Sequence, residues 1–389
     1  MKQPIRKSVK EKNNIDDTKY YITLLLDMNN IMKTCLVDKR MNSNGEEYGM
    51  VLSSLRMIGR VLQMRDFKYC VACYDGYNSG VLRYNIYEDY KANRGKHYEI
   101  AAGTTEYDRK ISEFCKRTLE YYGRKNKKET VRDETDDESF QRQRAILQDI
   151  LDNLYVRQFI YDEVEGDDLI AYYVQHRKEN EKIVIVSGDM DLTQLISDDV
   201  CVYVPMQKKS ITKENSVKEL GMTHENMVLK KILCGDASDN IKGIKGMGEQ
   251  TLVKMFPEII SEKTSLEAIL DHSRRILDER KANKKKPLKV LENVLNGVTE
   301  GVQGKDIYKV NKSIIDLSEP MLTDEAREGI ENESYAPIDP EGRDIANVYK
   351  IIEENGMDDI SNERVFGNLF GMYERIIKSE KENAKENEN

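Results

Sequence analysis

The chain has 389 residues, 39% hydrophobic and 34% charged, enough for one large domain or two modest ones around a buried core. No run of about 18 apolar residues occurs, which excludes a transmembrane helix. The N-terminal stretch lacks an apolar centre of signal-peptide length, so a cytoplasmic protein is expected. The formal net charge of −9 is a poor guide to partners, because charge is segregated: residues 272–290 sum to +6 and residues 319–365 to −10.

In chain order, residues 1–18 read as a polar arm. Tyr21–Leu26 is a short apolar run ending in Asp27, the pattern of a buried strand with an acid at its carboxyl end. Met50–Met64 carries apolar residues at helical spacing. Tyr69–Tyr74 is a second apolar strand, followed by Asp75. It contains Cys70 and Cys73, a lone CxxC with no second pair in view. The six scattered cysteines fit a reducing compartment. Next come Tyr84, Tyr87, Tyr90, Lys91 and Arg94, spaced for one helical face. Cations interleaved with aromatics suit a single strand, the cations meeting phosphates and the rings stacking on bases. A tyrosine-lined core helix with solvated lysines is the alternative. Residues 99–144 form a polar, doubly charged excursion. Beyond it, Val156–Tyr161, Lys182–Val186 and Val200–Val204 read as strands and Leu169–Gln175 as a helix. After Pro257 the chain turns helical and charged, ending in a solvated tail. Strands alternating with helices predict an α/β fold with a largely parallel sheet.

Nine acids recur at the ends of these elements: Asp27; Asp75; Glu165, Asp167 and Asp168; Asp189 and Asp191; Asp236 and Asp239. Sites in open α/β sheets form outside the carboxyl ends of the strands, where Asp27, Asp75 and Asp189 fall. Each cluster alone also fits helix capping or dipole compensation. Converging on one edge, they would repel one another unless cations were bound. Carboxylate oxygens suit Mg²⁺, with Mn²⁺ as a substitute, rather than zinc, and the four histidines have no ligand-like spacing. Two such cations suit in-line displacement at phosphorus.

The glycine segment from Gly243 through Gly246 to Gly248, with Lys242 and Lys245, looks like the hairpin of a helix-hairpin-helix element. Its backbone amides can approach a phosphate closely without reading sequence.

The blocks LLLDMNN, CYDGY, YKANRGK, EVEGDDLIA, IVSGDMDLTQL and ILCGDASDNIKGIKGMGEQT, in that order, resemble the 5′-nuclease superfamily of flap endonucleases and polymerase-I 5′-exonuclease domains. With VYVPMQKKS and the charged helical C-terminal region, the likeness is greatest to the T-even-phage ribonuclease H type. The resemblance implies a central mixed, largely parallel sheet between helices, a helical arch and a helix-hairpin-helix element. It implies a flexible arm over 1–18, a catalytic domain over 19–205 with the arch at about 84–145, a helical region over 206–378 and a tail over 379–389. Asp27, Asp75, Glu165, Asp167 and Asp189 are matched to a first Mg²⁺ and Asp191, Asp236 and Asp239 to a second, with Asp168 shared or outside both. Asp27, Asp75, Asp189, Lys91 and Arg94 are the catalytic candidates. Tyr90, Lys91, Arg94, Lys242, Gly243, Lys245, Gly246 and Gly248 are the nucleic-acid candidates. The implied activity is 5′-3′ exonuclease, flap endonuclease and ribonuclease H cleavage of RNA primers and flaps in lagging-strand replication. A monomer in the host cytoplasm is expected, with a single-strand-binding protein and a sliding clamp as partners. A non-catalytic binder of branched DNA is the alternative. The chain departs from the family at Lys242 and Lys245, where prolines are usual.

Overall fold

The computed structural model describes residues 20–94, 136–299 and 306–357, together with 360, 367, 370–371 and 373–378. The expected arm, most of the excursion and the tail lie outside the described residues.

A six-stranded sheet organises the chain: β1 (Tyr21–Asp27), β2 (Tyr69–Cys73), β3 (Arg157–Phe159), β4 (Glu181–Val186), β5 (Val200–Val204) and β6 (Lys209–Ile211). The spatial order is β3-β2-β1-β4-β5-β6, all parallel except β6, which pairs antiparallel with β5. The sheet is buried on both faces, so its strands are continuous apolar runs. Alternation still sorts their side chains. Leu24, Leu26, Val184 and Val186 pack on one face, and Leu25, Ile183 and Ile185 on the other. Cys70 and Cys73 are sorted in the same way to opposite faces, which removes the CxxC as a redox or zinc pair. Burial pushes the Cys70 thiol up to about 12.

The helices are α1 (Met28–Cys35), α2 (Gly49–Leu62), α3 (Val81–Tyr84), α4 (Asp136–Asn153), α5 (Gly166–Gln175), α6 (Ser216–Leu220), α7 (Met227–Cys234), α8 (Glu249–Met255), α9 (Leu266–Ala282), α10 (Lys289–Asn296), α11 (Asp306–Ile315), α12 (Asp324–Glu333) and α13 (Ile345–Glu354). α1, α2, α4 and α13 cover one face of the sheet, and α5 and α12 cover the other. A third core, built from α7 to α11, forms a separate helical unit. Among the described residues no helix is long and apolar enough to cross a membrane.

Three expectations change. The expected helical region over 206–378 is two things: residues 222–315 make the third core, while Leu317, Leu322, Ala326 and Ile330 return to the sheet beside α5. The insertion ends before residue 145, because Ser139, Arg142 and Gln143 of α4 are already buried and Gln143 Oε1 accepts the Met50 amide at 2.9 Å. The segment carrying Tyr84 to Arg94 is no single helix. α3 stops at Tyr84, Lys91 adopts a left-handed backbone (φ 55°), and only Ala92–Arg94 forms a 3-10 turn. The five residues therefore share no helical face.

At the amino end of the sheet, Glu181 is 0% exposed at the start of β4. Its carboxylate accepts the Tyr335 hydroxyl at 2.5 Å, the Tyr173 hydroxyl at 3.0 Å, the Lys178 amide at 3.1 Å and the Thr23 hydroxyl. Tyr335 lies just beyond α12, so this buried acid pins the returning C-terminal region to the sheet.

Candidate active site

The chain leaves β1 toward β2 and β3 on one side and comes back through β4 and β5 on the other. The carboxyl edge above β1 and β4 is therefore the switch point of the topology. Asp27 pairs in register with Cys73, and Leu26 with Val186, so Asp75 and Asp189 emerge at the level of Asp27.

Each of these acids also orders a helix or turn. Asp27 caps α1 through the Asn30 amide at 3.0 Å and accepts the Ser187 hydroxyl at 2.6 Å. Asp189 caps the 3-10 turn Met190–Leu195 through the Asp191 amide at 2.9 Å. Asp75 accepts the first amide of α5, Gly166, at 2.9 Å. Capping and convergence are not alternatives here, because the caps aim the carboxylates at one edge. Burial, reinforced by Asp189 and Asp75 against the Ser187 and Asn30 hydrogen bonds, pushes Asp27 up to about 6. Burial together with Asp27, Asp189 and Asp75 also raises Asp167 well above the ordinary carboxylate value.

The remaining acids arrive on a different element. α7 ends at Cys234, and a two-stranded hairpin of β7 (Gly235–Asp236) and β8 (Ile241–Lys242) carries Asp236 and Asp239. One carboxylate oxygen each from Asp191, Asp236 and Asp239 lie within 4.8 Å of one another. The hairpin closes because Gly235 and Gly243 lack side chains. A Cβ on Gly243 would sit 2.1 Å from the Cys234 carbonyl carbon, and one on Gly235 only 2.4 Å from the Gly243 amide.

Cations already sit in both halves of the ring. Lys231, on α7, places its ammonium on Asp191 and, at 2.6 Å, on Asp236. Against burial, Lys231 and Ser238 hold Asp236 at about 2, whereas burial and Asp189 outweigh Lys231 to bring Asp191 to about 6. Glu165 binds the Lys91 ammonium on one oxygen. Its other oxygen accepts Arg83 at 2.8 Å and the Tyr90 hydroxyl at 2.9 Å. Against burial, Lys91 and Arg83 hold Glu165 at about 2. Arg83 is itself buried. Its guanidinium spans Glu165 and both oxygens of Asp168, and it donates to the Ile314 carbonyl at 2.8 Å. Lys231 and Arg83 were missed in the sequence, where a lysine five residues before Asp236 and an arginine two residues after Val81 look like ordinary surface charge.

Of the two roles expected for Asp168 the structure favours the one outside both cation positions, and the stacking role expected for Tyr90 is lost. Both oxygens of Asp168 are committed to Arg83, and one also accepts the Met321 amide at 2.9 Å. It therefore braces α5 against the returning C-terminal segment and is not placed as a shared ligand. Tyr90 is 3% exposed in the third core with its hydroxyl on Glu165, so its ring cannot stack on a base. Lys91 faces the acids, and Arg94 reaches Asp239 at 2.5 Å and the Ser238 carbonyl at 3.1 Å. The Tyr90–Arg94 segment thus lies across the acid-bearing hairpin. Beyond it, Lys242 is exposed at the end of β8, and Lys245, Gly246 and Gly248 are exposed on the loop leading into α8, with Gly246 in a left-handed conformation (φ 85°).

The fold defines a class: a parallel α/β sheet with a carboxylate cluster at its switch point and a helical unit docked beside it. The profile of the 5′-3′ exonuclease N-terminal, resolvase-like domain matches residues 23–221. DNA polymerase I of Bacillus subtilis is 32% identical over 145 residues, 36% of this chain and 16% of the polymerase. DNA polymerase I of Streptococcus pneumoniae is 29% identical over 230 residues, 58% of this chain and 23% of the polymerase. The chain thus spans under a quarter of these relatives' length. The D15 protein of bacteriophage T5, co-crystallised with metal ions, superposes with a TM-score of 0.51 at 16% identity, covering 92% of this chain and 99% of that one. The T5 D15 flap endonuclease in complex with DNA and metal ions gives the same score over 91% and 99%. The chain belongs to the 5′-3′ exonuclease N-terminal domain family, within the 5′-nuclease superfamily.

Proposed function

We propose that this chain is a Mg²⁺-dependent 5′-3′ exonuclease and flap endonuclease that also removes RNA primers from RNA–DNA hybrids. The observation that carries the proposal is the meeting of Asp191, Asp236 and Asp239 beside the mutually repelling strand-end acids. The donor set is all carboxylate oxygen, which fits Mg²⁺ or Mn²⁺. In this reading Asp27, Asp75, Glu165, Asp167 and Asp189 hold one cation, and Asp191, Asp236 and Asp239 hold the other. Two such cations would supply positive charge to the scissile phosphate and acidify the attacking water.

The chain's own groups do the rest. Asp27 and Asp189, fixed by their caps, hold the geometry of the edge without reorganising. Lys91, now on Glu165, and Arg94, now on Asp239, are the side chains that would meet the scissile phosphate and its neighbour, and Glu165 is one of the acids that would hold a cation. The exposed amides around Gly246 grip the duplex backbone without reading bases. The T5 relatives crystallised with DNA and metal ions support this reading.

The test uses 5′-labelled RNA–DNA hybrid, nicked duplex and 5′-flap duplex, each with Mg²⁺ and with EDTA, beside Asp189→Asn. Mg²⁺-dependent short 5′ products, absent in the variant, are expected. Binding of the flap without any cleavage by the wild type would instead make the chain a branched-DNA binder.

A further inference from the structure

The basic run between α9 and α10 is not used by the reading above. Lys281, Lys284, Lys285, Lys286 and Lys289 are all exposed. The helix dipole accounts for Arg280 and Lys281, which lie in the last turn of α9. It does not account for Lys284, Lys285 and Lys286, which lie past the helix end. It disfavours Lys289, the first residue of α10. Among the described residues no acid pairs with Lys281, Lys284, Lys285 or Lys286, so four like charges are held close without compensation.

The turn that holds them is built. Asn283 donates its backbone amide to Glu279 at 3.0 Å, Lys284 to Lys281 at 3.0 Å and Lys285 to Arg280 at 2.8 Å. Arg280 returns a side-chain bond to the Lys286 carbonyl at 2.8 Å, so one residue ties the turn from both sides. Lys284 takes a left-handed backbone (φ 51°), a conformation that costs a residue with a side chain. These bonds and the left-handed Lys284 are the usual C-terminal cap of a helix, here closing α9 and fixing where the lysines leave it.

Its position gives it a use. The residue after Lys289 is Val290, whose side chain packs over Gly246, 3.8 Å from where a Cβ would stand. Asn293 of α10 donates to the Lys245 carbonyl at 2.8 Å, and the Lys245 amide donates to Val298 at 2.8 Å. α10 is therefore fastened to the glycine loop, and the lysine turn leads directly into the end of α10 that packs there.

We propose that the Lys281–Lys289 turn is a second phosphate-gripping contact for duplex nucleic acid, extending the glycine-loop contact along the helix axis. The proposal rests on the nuclease reading for its substrate, but its test does not require cleavage. The triple variant Lys284→Gln, Lys285→Gln, Lys286→Gln is compared with wild type by fluorescence anisotropy in EDTA. The probes are flap substrates with about one turn of duplex, roughly 10 base pairs, and about three turns. Each lost phosphate contact removes about one from the slope of log affinity against log salt, so the slope on the long duplex is expected to fall by up to about 3. Affinity for the long duplex is expected to fall about tenfold near physiological salt. On the short duplex the variant should match wild type, and cleavage at saturating substrate should be unchanged. Equal losses on both lengths would mean non-specific field effects and would overturn the proposal, as would no loss on either. Wild-type protein that binds but does not cleave would defeat the proposed function and leave this inference standing.

Discussion

The two ends of the central sheet treat buried acids in opposite ways. At the amino end, Glu181 is surrounded by neutral hydroxyl and amide donors, and no other acid shares its bonds. At the carboxyl end, acids face acids, and burial with mutual repulsion lifts Asp27 and Asp167. A buried acid with all its donors in place is at rest, whereas a cluster of facing acids carries repulsion that proton uptake or a cation relieves. The first pattern belongs to architecture and the second to chemistry.

The sharpest way to break this contrast is Asp189→Asn. Cleavage should fall on the order of 10²–10³-fold, while flap binding is kept and the melting temperature in EDTA does not drop. Retained cleavage here and in Asp75→Asn would sink the two-cation assignment. Next is Arg83→Met, which leaves Glu165 and Asp168 buried without their shared partner. A loss of about 3–5 kcal/mol in urea unfolding is expected. A neutral result would mean that the two acids can protonate or reach solvent.

The third test follows from pH. In the cation-free protein burial and the neighbouring acids hold Asp27 above its ordinary 3.8, at about 6. Between those values the folded chain holds a proton that the unfolded chain has released, so stability falls as pH rises across that window. Asp27→Asn should flatten this slope in EDTA-treated samples, and saturating Mg²⁺ should do the same for wild type. A variant whose pH profile parallels wild type would remove Asp27 from the repulsive cluster. The smallest effect belongs to the other end: Tyr335→Phe deletes one hydroxyl donor to a buried charge and should cost about 1.5 kcal/mol with the cleavage rate unchanged.

The strand-and-acid frame was legible because a strand buried on both faces must be an apolar run, and an acid just past its end has few other reasons to be there. β1, β2 and β4 with the acids after them, and the strands β3 and β5, were found this way. β6 was not, since Lys209–Ile211 is a short edge segment with only one buried residue. The segment around Tyr90 misled for a related reason. Spacing cannot tell a ring facing solvent from one facing a core, and neither the end of α3 at Tyr84 nor the left-handed Lys91 leaves a signal in the sequence. Lys231 and Arg83 were invisible because a buried cation and a solvated one are the same letter. The return of α12 and α13 to the sheet could not be read from amphipathicity, which says that a face is buried but not against what.

The contact between Gly235 and Gly243 has a thermodynamic consequence. Two acids of the ring, Asp236 and Asp239, lie between these glycines, and the exposed loop around Gly246 begins where they end. In the proposed reading, with a cation on those acids and a duplex on that loop, the crossing is a direct backbone path between the two sites, and any factor by which one ligand changes the other's affinity must be returned in full by linkage.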